Sequence, residues 1–259
     1  MPADLSAVAA RLRAAGCVFA EDEAALLVSA AATRDDLDAM VERRAGGEPL
    51  EVILGWAEFC GLRVAVDPGV FVPRRRTEFL VQQAVALARP GAVVVDLCCG
   101  TGAIGAAVAA AVNGVELHAA DVDPVAVKCA RRNVDRVYEG DLYDALPPGL
   151  RGRIDLLVVN APYVPTDEIG MMPPEARDHE PRVALDGGID GVDIHRRVAA
   201  GAPDWLARRG HILIETSDHQ APNTVAAFTD VGFAVQVLQS EDLGATVVLV
   251  SRQADSFTP

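Results

Sequence analysis

The segment Ala92 to Leu97 is an apolar run with an acid near its end, and it passes directly into a glycine loop, Asp96-Leu-Cys-Cys-Gly100-Thr-Gly102-Ala-Ile-Gly105. No other feature constrains the fold as strongly. A short continuous apolar run reads as a strand buried on both faces, which is the habit of parallel sheets. The loop then opens an Ala-rich helix over Gly102 to Val112. The same theme recurs down the chain. Val115 to Ala120 reads as a strand ended by Asp121, and a helix follows from Pro124, a residue suited to a first turn, to Asn133. Ile154 to Val159, His211 to Glu215, Ala234 to Leu238 and Ala245 to Ser251 supply further apolar strands. Repeated strand–helix units predict an open, doubly wound α/β sheet.

The glycines allow a tight turn and close approach of a ligand to the backbone. Two ligands compete for such a loop. A nicotinamide dinucleotide would rest its pyrophosphate on the helix N-terminus. S-adenosylmethionine (SAM) has no phosphate, so the loop would cradle an amino acid and a ribose, with an acid at the strand tip orienting the cationic ligand. Asp96, four residues before Gly100, gives the spacing D-x-x-x-G-x-G, which favours the methyl donor. Asp121 could accept from the ribose hydroxyls under either reading. Asp141, in Gly-Asp-Leu-Tyr, could accept the adenine amino group or serve as a turn carboxylate.

At 259 residues the chain has room for one full catalytic domain and a small accessory one. Half of it is apolar, enough for a sizeable core. Leu5, Val8, Ala9 and Leu12 recur at helical spacing, as do Leu37, Met40 and Val41, so the segment before Ala45-Gly-Gly reads as helices. Val52-Ile53-Leu54 and Leu62 to Val66 look β-like, split by Gly55 and Gly61, as in a hairpin linker. The longest apolar run, around 103–112, is too short to span a bilayer, and the N-terminus lacks the pattern of a signal peptide, so a cytoplasmic protein without a membrane partner is expected. The net charge of −14 argues against gripping nucleic acid by electrostatics alone. Five cysteines without a CxxC pair argue against zinc and against a disulfide framework; no metal is expected. One connection breaks the rhythm. Residues 161–189 hold five prolines and three glycines, and so long a connection in a compact domain usually carries function.

Asn160-Ala161-Pro162-Tyr163 follows the strand Ile154 to Val159. Ligands of doubly wound sheets bind beyond the carboxyl ends of strands, so the tetrapeptide should face the cleft. It resembles the (D/N/S)-P-P-(Y/F/W) motif of methyltransferases that modify a planar amino or amide nitrogen. Such a nitrogen is a poor nucleophile because its lone pair is delocalised. Asn160 Oδ1 and the Ala161 carbonyl could each accept one of its N–H groups, and Tyr163 would pack on the planar group. Alanine stands where the first proline is usual, so the carbonyl is kept and the fixed φ is lost.

Further segments narrow the resemblance. Gly47-Glu-Pro-Leu, Gly55-Trp-Ala-Glu-Phe-Cys-Gly-Leu and Val70-Phe-Val-Pro-Arg74-Arg-Arg-Thr77-Glu78 are similar to the linker of the HemK family, and the stretch from Glu175 through Glu180 to Gly191 resembles that family too, as does Ile214-Glu215 followed by His219-Gln220. Its members methylate a glutamine side-chain amide, best known in the GGQ loop of class 1 peptide release factors. The chain departs from the family where P-R-P-E-T-E becomes Pro73-Arg-Arg-Arg-Thr-Glu78 and E-x-G-H becomes Glu215-Thr-Ser-Asp-His219.

The resemblance implies a class I SAM-dependent methyltransferase fold, a Rossmann-like doubly wound sheet. Its expected division is a helical substrate-recognition domain over 1–48, a β-hairpin linker over 49–76 and the methyltransferase domain over 77–259. SAM would be bound by Asp96, Gly100, Thr101, Gly102, Asp121, Asp141, Leu142 and Asn160, and would leave as S-adenosylhomocysteine. Asn160, Ala161, Pro162 and Tyr163 would carry the chemistry. Arg74, Thr77 and Glu180 would position the substrate, a protein bearing the target glutamine, with a class 1 release factor, on or off the ribosome, as the candidate. The alternatives are an N6-adenine methyltransferase on DNA or RNA, a SAM-binding module without turnover, and, further off, a NAD-dependent dehydrogenase that would leave Asn160 to Tyr163 without a task.

Overall fold

A computed structural model describes residues 5–252; the first four and last seven positions of the expected domains lie outside the described residues. The chain starts with α1 (Leu5–Ala14), α2 (Ala20–Ala30), α3 (Arg34–Ala45) and the single-turn α4 (Leu50–Leu54). Their apolar faces meet around Leu12, Leu27, Leu37, Val41 and Ile53, a cluster of their own. Local chemistry marks the ends of α3. The Thr33 hydroxyl accepts from Asp36 N at 3.1 Å, Asp35 and Asp36 occupy the first turn, and Arg43 and Arg44 the last, complementing the helix dipole.

Val52-Ile53-Leu54 is therefore helical rather than β-like. Ile53 gains burial in the helical cluster, and that packing outweighs the β preference of the run. Gly55, at φ 76°, ends the turn. The hairpin itself is β1 (Trp56–Phe59) and β2 (Leu62–Ala65), joined by Cys60 and Gly61, both at positive φ as a two-residue hairpin turn requires.

Within the bundle, the Arg44 guanidinium donates to both carboxylate oxygens of Glu23, at 2.6 and 3.1 Å, with both side chains about nine-tenths buried. Removing one partner of such a pair strands the other. Arg44→Ala is expected to lower unfolding stability by about 3 kcal/mol, read by denaturant titration, and Glu23→Ala in the same background to add little.

The rest of the chain builds one seven-stranded sheet. Its elements are α5 (Glu78–Leu87), β3 (Val93–Leu97), α6 (Ala103–Ala111), β4 (Glu116–Asp121), α7 (Pro124–Ala130), β5 (Val137–Glu139), β6 (Ile154–Val159), α8 (Pro174–His179), α9 (Asp193–Trp205), β7 (Leu206–Thr216), α10 (Ala221–Thr229), β8 (Phe233–Ser240) and β9 (Ala245–Arg252). The strand order is β5-β4-β3-β6-β7-β9-β8, parallel from β5 to β7, with β9 antiparallel to both neighbours. The chain runs outward from β3 to β5 and then returns to β6 on the other side of β3. That reversal opens a crevice at the carboxyl ends of β3 and β6, where the glycine loop and Asn160 emerge. One core cluster joins Val95, Leu157 and Ile212 to α9 and α10; the other joins Val94, Leu156 and Leu213 to α5 and α6.

The closing strands depart from the expected repetition. Four residues, 241–244, connect β8 to β9, far too few for a parallel crossover, so they form a hairpin. The helix expected from Pro124 to Asn133 stops at Ala130.

Candidate active site

Two carboxylates hold the glycine loop. Asp96 lies at the end of β3, fully buried, and its Oδ2 accepts from Gly105 N at 2.8 Å. A Cβ on Gly105 would fall 3.2 Å from that same oxygen, so the close approach needs glycine. Asp121, at the tip of β4, accepts from Gly100 N at 2.8 Å and from Asp123 N at 2.9 Å. Between these anchors the backbone turns through Cys98, Gly100 and Gly102 at φ 59°, 54° and 75°.

Burial pushes the Asp96 carboxyl up to about 8, against the pull of the Gly105 N–H, and the Asp121 carboxylate adds to the rise. A carboxyl raised on folding takes up a proton as the chain folds between about pH 4 and pH 8, so its contribution to stability falls as pH rises through that window. Asn at this position does not titrate. The melting temperature of Asp96→Asn relative to the unsubstituted protein is thus expected to climb steadily from pH 5 to pH 8; a difference independent of pH would assign the proton elsewhere.

The loop is also stapled from behind. Asn133, just beyond α7, donates through Nδ2 to Thr101 O at 2.8 Å and to Ala65 O at 3.0 Å, and accepts at Oδ1 from Ala65 N at 2.9 Å. One side-chain amide thereby extends the β1–β2 ladder and fixes the glycine loop.

A cavity of about 910 Å³ runs from Gly100, Thr101, Asp121 and Leu142 to Asn160–Tyr163, Arg74 and Thr77. Asp141 borders it with its Oδ2 on Arg197 at 2.5 Å. Leu142 turns in at φ 50°. Asp96, Gly102 and Glu180 do not line the cavity; they support the residues that do. Glu180 Oε1 accepts from Arg74 at 2.5 Å and from Val72 N at 3.3 Å, tying the long Pro-rich connection to the linker, and Arg74 stacks 5.0 Å from the Phe71 ring. Burial raises the Glu180 carboxyl and Arg74 opposes the rise.

The long connection proves to be a brace. It folds back so that Val164 N donates to Leu185 O at 3.0 Å and Gly187 N to Val164 O at 2.8 Å. Gly187 then lies against the tetrapeptide: a Cβ there would fall 2.8 Å from Pro162 O and from Tyr163 Cα. Gly191 approaches Tyr163 O just as closely, and Gln220 Nε2 donates to that oxygen. Tyr163 is held at its other end too. Its hydroxyl donates to Glu215 Oε1 at 3.4 Å, and the Arg76 guanidinium stands 5.8 Å from its ring centre. Burial raises the Tyr163 phenol, with the Glu215 charge adding to the rise, so the hydroxyl stays protonated.

Of the basic run, Arg74 and Arg76 are therefore engaged by buried acids, Glu180 and Glu215. Asn133 and Arg197 were not expected at the site, and Glu215 and Gln220 had been singled out only by family likeness. His195 is fully buried, bonded to Thr224 Oγ1 at 2.9 Å, and burial lowers it to about 4, so it is a neutral core residue. Among the described residues no group of three His, Cys, Asp or Glu side chains is placed to hold a metal ion. The end of the cavity at Asn160 offers a side-chain carbonyl beside a backbone carbonyl. That pair can accept from both hydrogens of a planar nitrogen.

The Methyltransferase small domain family matches residues 61–171. The chain is 38% identical over 200 residues to a release factor glutamine methyltransferase of Geobacter sulfurreducens, covering 75% of this chain and 69% of that one. It is 37% identical over 205 residues, 74% of this chain and 69% of the other, to a 4-amino-L-phenylalanine/4-methylamino-L-phenylalanine methyltransferase of Streptomyces pristinaespiralis. Among solved structures, a methyltransferase from Pyrococcus furiosus shares the fold with a TM-score of 0.56 at 16% identity, over 75% of this chain and 90% of that one.

Proposed function

The chain belongs to the release factor glutamine methyltransferase family, and from that premise we propose that it methylates the side-chain amide nitrogen of a glutamine in a class 1 peptide release factor, with SAM as methyl donor. The observation that carries this reading is that Asn160 and Ala161, emerging from β6, line the same cavity as the glycine loop that emerges from the neighbouring β3.

The donor's end of the cavity fits SAM. Gly100 leaves room for a ligand against the backbone, Asp121 offers carboxylate oxygens for ribose hydroxyls, and Asp141 and Leu142 add to the lining. When bound, SAM supplies an electrophilic methyl on a sulfonium. The chain's own residues orient the acceptor. Asn160 Oδ1 and the Ala161 carbonyl would hold the two N–H groups, fix the nitrogen in line with the methyl and stabilise the positive charge that develops there; as the N–C bond forms, the S–C bond would break with its electron pair kept by sulfur, and the nitrogen would release one of its two protons to solvent. Tyr163 packs on the amide plane. Arg74 and Glu180 lock the linker to the brace around the substrate. The helical segment 1–48 recognises the protein substrate, the linker is 49–76, and 77–259 holds the donor and performs the transfer; the separate hydrophobic cluster of the first four helices supports this division. Among the described residues no helix is long and apolar enough to cross a membrane, and a release factor substrate places the enzyme in the cytoplasm.

The test is to incubate the purified chain and radiolabelled SAM with an unmethylated class 1 release factor, with free 4-amino-L-phenylalanine and with DNA, in parallel. Mass spectrometry should find N5-methylglutamine on the release factor. Label confined to the free arylamine or to DNA overturns the proposal. In the same assay Ala161→Pro, which restores the family's usual residue, should keep kcat within about threefold, since a fixed φ that suits the backbone costs little.

A further inference from the structure

Resting on that reading, we propose that Gln220 is a positioning residue for methyl transfer: its side-chain amide pins the carbonyl of Tyr163 and so holds the far end of the tetrapeptide. Asn160 leaves β6 directly behind Val159, which the sheet pairs with Ile214. The near end of the tetrapeptide is therefore fixed by the sheet. Val164, the residue after it, bonds to Leu185 and Gly187. Those partners belong to the same Pro-rich connection and would shift with it. Gln220 stands outside that connection. It immediately precedes α10, whose Phe228 is buried in the core with Ile212 and Ile214. From there its Nε2 donates to Tyr163 O.

Donors and acceptors leave this amide one orientation. A backbone carbonyl has only lone pairs to offer, so Gln220 must turn its NH2 toward Tyr163. Oε1 is then left for a donor, and the Ser217 hydroxyl supplies it. The same Ser217 oxygen accepts from Gln220 N at 3.2 Å, and Thr224 Oγ1 donates to Gln220 O at 3.2 Å. The residue is thus held at its backbone and at both ends of its amide. Gly191 makes room for it: at φ 76°, a Cβ there would overlap both Gln220 Nε2 and Tyr163 O. Without the amide, the Tyr163 carbonyl would be stranded among buried groups and would turn to find another partner. Pro162, with its φ fixed by the ring, cannot absorb that turn, so it passes back to the Ala161 carbonyl that faces the acceptor nitrogen.

Gln220→Met and Gln220→Glu test the pin. Methionine matches the length and bulk of glutamine without its donor, so a residue that merely fills space would tolerate it. Glutamate keeps the shape and sets oxygen against oxygen. Gln220→Met should lower kcat about ten- to hundredfold, and Gln220→Glu at least as much. In Gln220→Met the Kd for SAM and the KM for release factor should stay within about threefold, and the melting temperature should fall by no more than about 5 °C. A second readout is independent of turnover. Tyr163 precedes Val164, whereas Tyr138 and Tyr143 precede Glu139 and Asp144. Carbonyl-¹³C tyrosine with ¹⁵N valine therefore singles out the Tyr163 carbonyl by NMR. A carbonyl that loses a hydrogen bond moves upfield, so this resonance should move upfield in Gln220→Met. Full kcat in Gln220→Met overturns the proposal, as does an unmoved Tyr163 resonance, or a fall in kcat matched by an equal loss of SAM affinity. An unsubstituted protein inactive on release factor would sink the substrate reading of the preceding subsection, while the carbonyl shift still decides the pin.

Discussion

Asn160→Ala is expected to cut the single-turnover rate of methyl transfer about a thousandfold while SAM affinity by calorimetry changes less than about tenfold. The asymmetry follows from where the side chain stands. Asn160 lines the cavity beyond β6, whereas Gly100, Asp121 and Leu142, which the substitution leaves in place, line it beyond β3, β4 and β5. On the function proposed, the lost group is a preorganised acceptor whose bond strengthens as charge builds on the attacked nitrogen, so its removal acts on kcat. Ala161 alone retains one of the two carbonyls and cannot fix the nitrogen's orientation. Equal losses in rate and in SAM affinity would instead give Asn160 a donor-binding or folding role.

Gly187→Ala should be nearly as severe, from a residue that touches neither donor nor acceptor. Its new Cβ would fall 2.7 Å from Gly191 O, 2.8 Å from Pro162 O and 2.8 Å from Tyr163 Cα. All three are backbone atoms, so no flexible side chain can swing aside. The tetrapeptide or the brace must shift, and displacement of a catalytic group on that scale costs about a hundredfold in kcat. The sheet underneath needs no rearrangement, so far-UV circular dichroism should be unchanged. Gly170→Ala is the matched control. It lies in the same connection with nothing within 4 Å of its added Cβ, and both rate and melting temperature should hold. A Gly187→Ala enzyme with full activity would remove the brace from the account.

The parts of this molecule legible in its sequence are those whose chemistry is local. β3 and β6 read as apolar runs because both of their faces are buried, and the glycine loop and Asn160–Tyr163 announce themselves within a few consecutive residues. Asp96 was readable as an acid at a strand end. Its place behind the loop was not, because a strand buried on both sides gives no sign of which face meets the crevice. Asn133 and Arg197 act on partners 68 and 56 residues away, and nothing in their neighbourhood marks them. Gly187 and Gly191 stood out as punctuation, yet the backbone they make room for lies more than twenty residues earlier. β5, with three residues, is too short to show a period. The closing hairpin was legible in principle, since four linking residues exclude a crossover. Val52 to Leu54 is the opposite case, where β-branched residues joined a helix because a helical core lay within reach.

The Asn133 staple bears on where this protein can be cut. A fragment beginning at 77 would keep Asn133 but discard Ala65, so the Asn133 carbonyl oxygen would lose its donor and its NH2 one of two acceptors, directly beneath Thr101. The same cut would strip Val70 from its contacts with Ala126 and Cys129 and leave that apolar surface bare. The smallest autonomous unit able to keep the glycine loop in shape therefore starts upstream of the hairpin, near Trp56. The helical bundle before it, with its own core, is the portion that can be exchanged for another segment without leaving an unpaired amide beneath the glycine loop.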